Sequence, residues 1–268
     1  MDTLYIIKIG GNVIDDEQKL ADFLKKFASI QAPLQGMGAK KILVHGGGKL
    51  ATKLAEQMNI PQQMVEGRRI TDAETLKIVT MVYAGYINKN IVADLQSNGT
   101  NAIGICGADG NAILAHKRKN ATLDYGFVGD VDQINTSLFE TLLNEGLSIV
   151  VAPITHDAKG QLLNTNADTI AQEIAKGLGQ SYKVHLIYSF EKSGVLLDAN
   201  DDDTVIKNLN PVSYKELKDS GAIFAGMIPK LDNAFAALNS GVEKVIIGKA
   251  EEIHKLITGL SGTTICLT

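Results

Sequence analysis

Short runs of consecutive apolar residues alternate along the chain with stretches where apolar residues return every three or four positions. The first run, "LYIIKI" at 4–9, is rich in β-branched residues and predicts a buried strand. Leu20, Phe23, Leu24 and Phe27 then fall at helical spacing, with Asp15 and Asp16 as candidate caps. "KILV" at 41–44 predicts a second strand, and the helix after its glycines carries Leu50 and Leu54 on one face. "LSIVVAPI" at 147–154 reads as another buried strand. "NADTIAQEIAKGLG" at 166–179 sets Ile170, Ile174 and Leu178 on a stripe and ends in glycines, which suits a glycine-capped helix. "YKVHLIYSF" and "VEKVIIG" predict two further strands, with a helix over "PKLDNAFAALNSG" between them. Strands separated by helices imply an α/β chain: a doubly wound, largely parallel open sheet covered on both faces.

Between residues 97 and 135 the pattern changes to short alternating runs broken by Gly, Asp and Asn, which predicts β-hairpins decorating the sheet. The acidic "DANDDDT" at 198–204 has no calcium-loop spacing and reads as a solvated turn. A boundary near "AKGLGQS", 175–181, divides the chain into 1–176 and 177–268.

Composition narrows the class. The 268 residues are 45% hydrophobic and 21% charged, ordinary for a globular protein with a sizeable core. A net charge of −4 gives no basic footprint for nucleic acid. Cys106 and Cys266 have neither metal-ligand spacing nor a disulfide pattern, no signal peptide opens the sequence, and no apolar run reaches membrane-spanning length. The expectation is a cytoplasmic protein without a membrane partner or a metal held by side chains.

Two of the predicted strands end in glycines. "IIKIGG", 6–11, threads a lysine through an apolar run, and "VHGGGK", 44–49, places another lysine after three glycines. Glycine lets the backbone approach a ligand closely, and a helix that opens after it aims N–H groups at negative charge. Neither stretch fits a Walker or a dinucleotide fingerprint. One glycine pair alone reads as a tight turn; two such turns with adjacent lysines point to an anion. Lys8 lies near the C-terminal end of its strand, the ligand side of an open α/β sheet.

"IIKIGG", "VHGGGK", "GRRIT", "LNTNAD" and "GMIPK" occur together in one order and at characteristic distances. On these the chain resembles the acetylglutamate kinases of the amino-acid kinase family, along nearly its whole length from Leu4. The resemblance implies two lobes: 1–176, which binds the acylated amino acid and forms a homodimer, and 177–268, which binds ATP. It implies transfer of the γ-phosphoryl of ATP to the γ-carboxylate of N-acetyl-L-glutamate, giving an acyl phosphate in arginine biosynthesis. Lys8 and Lys230 would be catalytic, contacting the transferring group from either side, with Asp168 between them holding both. Gly10, Gly11 and Gly46 would bind the nucleotide phosphates, Gly47 and Gly48 the substrate. Arg69 would grip a substrate carboxylate through its fork, and Asn164, with Asn166 near it, would hydrogen-bond the substrate. Magnesium would be held mainly by ATP phosphates and water. A carboxylate nucleophile needs no general base, so His45 is read as structural.

The nucleotide loop departs from the family's usual Asp- and Gly-containing form. Here it is "YSFEKSGV", 188–195, with Phe190, Glu191 and Lys192. Ser189, Gly194, Ile223, Phe224 and Lys230 are the nucleotide-site candidates. The substrate motif also departs, with Glu66 at its head and a second arginine, Arg68, beside Arg69. Arg68 reads either as a partner of Glu66 or as a reader of an extra carboxylate. N-succinyl-L-glutamate is therefore an alternative substrate, and a catalytically silent ATP- or amino-acid-binding sensor is the alternative outside enzymes. The first strand begins at about Leu4, which leaves no room for the N-terminal helix of arginine-inhibited relatives; the expectation is a homodimer without that inhibition.

Overall fold

The computed structural model describes residues 1–31, 39–65, 68–120, 122–198, 201–223 and 227–267. In chain order the strands are β1 (Thr3–Ile9), β2 (Lys40–His45), β3 (Gln63–Val65), β4 (Arg68–Ile70), β5 (Ala102–Ile105), β6 (Ile113–Lys117), β7 (Gly129–Ile134), β8 (Ser148–Val151), β9 (Ile154–His156), β10 (Leu162–Asn164), β11 (Lys183–Phe190), β12 (Asn208–Leu209), β13 (Lys244–Lys249) and β14 (Thr263–Ile265). The α-helices are α1 (Gly11–Ile14), α2 (Glu17–Ala28), α3 (Gly48–Gln57), α4 (Ala73–Thr80), α5 (Asn88–Ser97), α6 (Thr136–Asn144), α7 (Ala167–Leu178), α8 (Pro211–Asp219), α9 (Ile228–Asn239) and α10 (Ile253–Thr258). A π-helical turn, Met81–Ile87, joins α4 to α5 without a break.

Eight strands form one sheet in the order β12-β14-β13-β11-β1-β2-β8-β5. From β13 to β5 the neighbours all run parallel; β14 turns antiparallel to β13 and carries β12 beside it. This is the expected doubly wound sheet. In β1, Leu4 and Ile6 pack into the core under α7 and α9, while Tyr5, Ile7 and Ile9 pack into the opposite core with Phe23, Leu24 and Phe27 of α2. Two-sided burial is why β1 reads as an unbroken apolar run rather than an alternating one. Among the described residues no helix is long and apolar enough to cross a membrane.

Most predicted elements stand where the pattern put them, and four differ in detail. Ala102–Ile105 is not part of a hairpin but the parallel edge strand beside β8. Its Gly104 mimics a turn residue, yet serves close packing: a Cβ there would overlap the Asn88 side chain. The hairpin expectation does describe β6 and β7, antiparallel partners in a second sheet ordered β10-β9-β6-β7. "LSIVVAPI" divides into β8 and β9, since Pro153 between them lacks the N–H that would continue a ladder. Asp16 rather than Asp15 caps α2, accepting from Lys19 N at 3.0 Å. α7 stops on Gly179 at φ −62°, so the glycine serves contact there, not a left-handed cap; a Cβ would lie 3.0 Å from the Gly241 carbonyl oxygen.

Candidate active site

Strand alternation sends Lys8 to the same face as Leu4 and Ile6, toward α7. There its Nζ lies 2.8 Å from Asp168 Oδ1, with the two side chains 13% and 19% exposed. Asn166 caps α7 by accepting from the N–H groups of Asp168 and Thr169, which fixes Asp168 in the first turn. A carboxylate is favoured at that end of a helix. Burial pushes the Asp168 carboxyl up, but Lys8 and Lys230 outweigh it and hold the group below its usual range.

Lys230 is the third residue of α9. Its ammonium stands 4.7 Å above the Phe190 ring rather than in contact range of Asp168. Burial lowers its pKa and Lys8 adds to that, against the pull of Asp168 and Glu191. Asp168 thus grips Lys8 directly and reaches Lys230 only through its field. Of the expected double grip, the structure contains one contact.

Around these charges opens a cleft of about 470 Å³. Its walls carry Lys8, Asp168, Lys230, Gly11, Gly46, Gly47, Gly48, Arg69, Asn164 and Asn166. Arg69 is 9% exposed and tied down on three sides: Nη2 donates to Gly48 O at 2.9 Å and to Thr52 Oγ1 at 2.8 Å, and Nη1 donates to Gln62. Gly48 also opens α3, so the arginine is locked to the second glycine turn. Asn164, at the end of β10, donates to Thr71 Oγ1 at 3.0 Å.

Other candidates fall outside the cleft wall. Gly10 neighbours Ser189 and Phe190, and Ser189 is buried opposite Ile9 in the sheet. Gly194 packs against Thr263 and Val205, and Ile223 lies in the core under α9. Phe224 and Glu66 lie outside the described residues. A second cavity, about 560 Å³, opens beside the first glycine turn between Asn12, Asp15, Lys49, Phe190, Glu191 and Glu251. Here the 188–195 stretch finds partners: Asn12 Nδ2 donates to Glu191, and Lys49 Nζ donates to Asn12 Oδ1 at 2.6 Å. One asparagine thus joins both glycine turns to the loop after β11.

Sequence reading passed over Tyr83 and Arg118, which also line the cleft with Arg68. Arg118 is paired with Asp130 through Nε at 3.0 Å and Nη2 at 2.5 Å. Its signal was the basic tract "HKRKN", set in a segment full of turns. Tyr83 gave none, since a tyrosine inside an apolar helix reads as core. Lys8, Arg68, Arg69, Arg118 and Lys230 face Asp168 as the one carboxylate among the described wall residues. Such a cleft is built for a polyanion, and its fixed cations can neutralise charge on a group in transfer.

The amino acid kinase family model matches residues 3–249. An acetylglutamate kinase of Cytophaga hutchinsonii is 56% identical over 96% of this chain and 95% of its own. One from Parabacteroides distasonis is 52% identical over 95% and 97%, and one from Methanopyrus kandleri 38% over 92% and 95%. Among solved structures, a Streptococcus mutans protein superposes with TM-score 0.79 at 28% identity, covering 99% of both chains. A Giardia carbamate kinase superposes with TM-score 0.70 at 13% identity over 99% of both, a likeness of fold.

Proposed function

The chain belongs to the amino acid kinase family, and from that premise we propose that its cleft moves the γ-phosphoryl of ATP onto the γ-carboxylate of N-acetyl-L-glutamate. The product is an acyl phosphate, as arginine biosynthesis requires, and the near-full-length similarity to acetylglutamate kinases supports this substrate. The observation that carries the reading is the Lys8–Asp168 pair beside Lys230, set where two glycine turns leave the C-terminal ends of adjacent parallel strands.

Phosphoryl transfer asks the protein for in-line positioning and charge relief rather than covalent chemistry. Lys8 and Lys230 approach the transferring group from opposite lobes. Asp168 holds Lys8 in place and offsets the repulsion between the two ammonium groups. Lys230 leaves the Phe190 ring for the phosphates when ATP arrives. Gly11 and Gly46–Gly48 offer backbone donors, Arg69 pairs with a substrate carboxylate, and Asn164 and Asn166 orient the substrate. The lobe of residues 177–268 takes the nucleotide, and 1–176 takes the acylated amino acid. Asp168 is engaged by Lys8, so magnesium would ride on the ATP phosphates and water and spread their charge. The chain acts as a homodimer, which exposed Met81 and Tyr86 on the π-helical face support.

Arg68 and Arg118 on the cleft wall favour a second reading, N-succinyl-L-glutamate, whose acyl group carries one more carboxylate. ATP consumption coupled to NADH oxidation, run with both substrates, tests the reading. The acetyl compound should support turnover. If Arg68 or Arg118 reads the extra carboxylate, its change to Ala lowers kcat/KM for the succinyl compound alone, by about 1.5 to 3 kcal/mol. Failure of both substrates with folded protein would exclude the kinase reading.

A further inference from the structure

The groups that shape the second glycine turn come from one place. β2 ends on His45, which is fully buried, and Gly46, Gly47 and Gly48 follow. His45 Nδ1 lies 2.8 Å from the Gly46 carbonyl oxygen, which can only accept, so Nδ1 carries the proton. Nε2 is then an acceptor, and Asn88 Nδ2 donates to it at 3.3 Å. The same amide donates to Val150 O at 3.1 Å, while its Oδ1 accepts from Lys89 Nζ at 3.0 Å. Gly47 has φ 153°, and a Cβ there would overlap Ile87 Cδ1 and lie 3.0 Å from Tyr83 Cδ1. A Cβ on Gly48 would lie 4.0 Å from the Tyr83 hydroxyl oxygen.

Ile87 therefore meets Gly47, Tyr83 meets Gly47 and Gly48, and Asn88 reaches Gly46 through His45. They can share a face because of the π-turn. In an α-helix the fifth residue on lies about 140° round the axis. An i→i+5 turn, closed here by the Asn88 N–H donating to the Tyr83 carbonyl, reduces that offset and brings Asn88 nearer the face of Tyr83.

We propose that the π-helical turn Met81–Ile87 is the positioning element of the Gly46–Gly48 turn, with the His45–Asn88 pair as its anchor. The proposal deepens the phosphoryl-transfer reading of the cleft and rests on it. His45 touches no substrate; it acts by aiming the Gly46 peptide, and with it the amides that follow.

Two substitutions separate positioning from mere structure. His45→Leu keeps much of the bulk and removes both polar contacts. His45→Asn leaves an amide N–H near the position of Nδ1–H. The leucine variant should lower kcat/KM for N-acetyl-L-glutamate by about 10²-fold, the scale of an ångström of misplacement, with KM for ATP and Tm little changed. The asparagine variant should recover most of that loss. Hydrogen exchange of the 42–50 amides, in ligand-free protein, should quicken in the leucine variant and return toward wild type in the asparagine one. That second readout needs no turnover, so it stands even if the substrate is another. Wild-type kcat/KM in the leucine variant, equal losses in both variants that follow Tm, or unchanged exchange would each overturn the proposal.

Discussion

Lys8 carries the argument at the scale of single residues. A lysine in a strand buried on both faces needs a partner, and Asp168 is that partner. Lys8→Ala and Lys230→Ala should each lower kcat by roughly 10² to 10³-fold, as when a charge aimed at a transition state is lost. Steady-state kinetics check this, and a Lys230→Ala enzyme with only a raised KM for ATP would contradict its role. Lys8 was legible as a lysine at a glycine-ended strand, whereas Asp168 and Lys230 were named on the family resemblance; all three lie on the cleft wall. Arg118 and Tyr83 were not legible, since a loop and a helix interior give no periodic sign of which side chain faces a cleft.

His45 makes a further residue-scale prediction. Burial drives its pKa down to about 4, Lys89 adds to this, and the bond to Gly46 opposes it. The unfolded chain binds this proton below about 6.5, so between pH 6.5 and 4 it holds more protons than the folded one. Stability is therefore full above pH 6.5 and falls as the pH drops toward 4. At about 1.4 kcal/mol per unit, the loss is of the order of 3 kcal/mol. Urea unfolding at pH 7 and 4.5 should show a smaller acid loss in His45→Asn than in wild type.

Among elements, the end of β11 and the loop after it, 188–195, depart from the usual family form, and Phe190 and Glu191 there have partners. Phe190 underlies Lys230, and Glu191 joins Asn12 after the first glycine turn. Asn12→Ala and Glu191→Ala should each raise KM for ATP several-fold, on the scale of one hydrogen bond, about 1 kcal/mol. The double variant should do no worse than Asn12→Ala alone, because that change already removes the bond to Glu191. In the main sheet β1, β2, β8, β11 and β13 were readable because burial on both faces leaves unbroken apolar runs, while the short β12 and β14 gave no such run. The β5 strand was not: Gly104, needed for the approach of Asn88, looks from sequence like a turn.

Across the whole molecule, the doubly wound sheet gathers residues far apart in the chain, Lys8, Gly46–Gly48, Asp168 and Lys230, at one set of strand ends. Light scattering should give a dimer mass, and a monomer would contradict the proposed assembly. On the proposed chemistry this cleft makes an acyl phosphate. Hydroxylamine converts such a product to a coloured hydroxamate. Wild-type protein with ATP, magnesium and N-acetyl-L-glutamate should form it steadily, and Lys8→Ala, folded to the same Tm, should all but fail. No hydroxamate from folded wild-type protein, or an equal yield from the Lys8→Ala variant, would contradict the account.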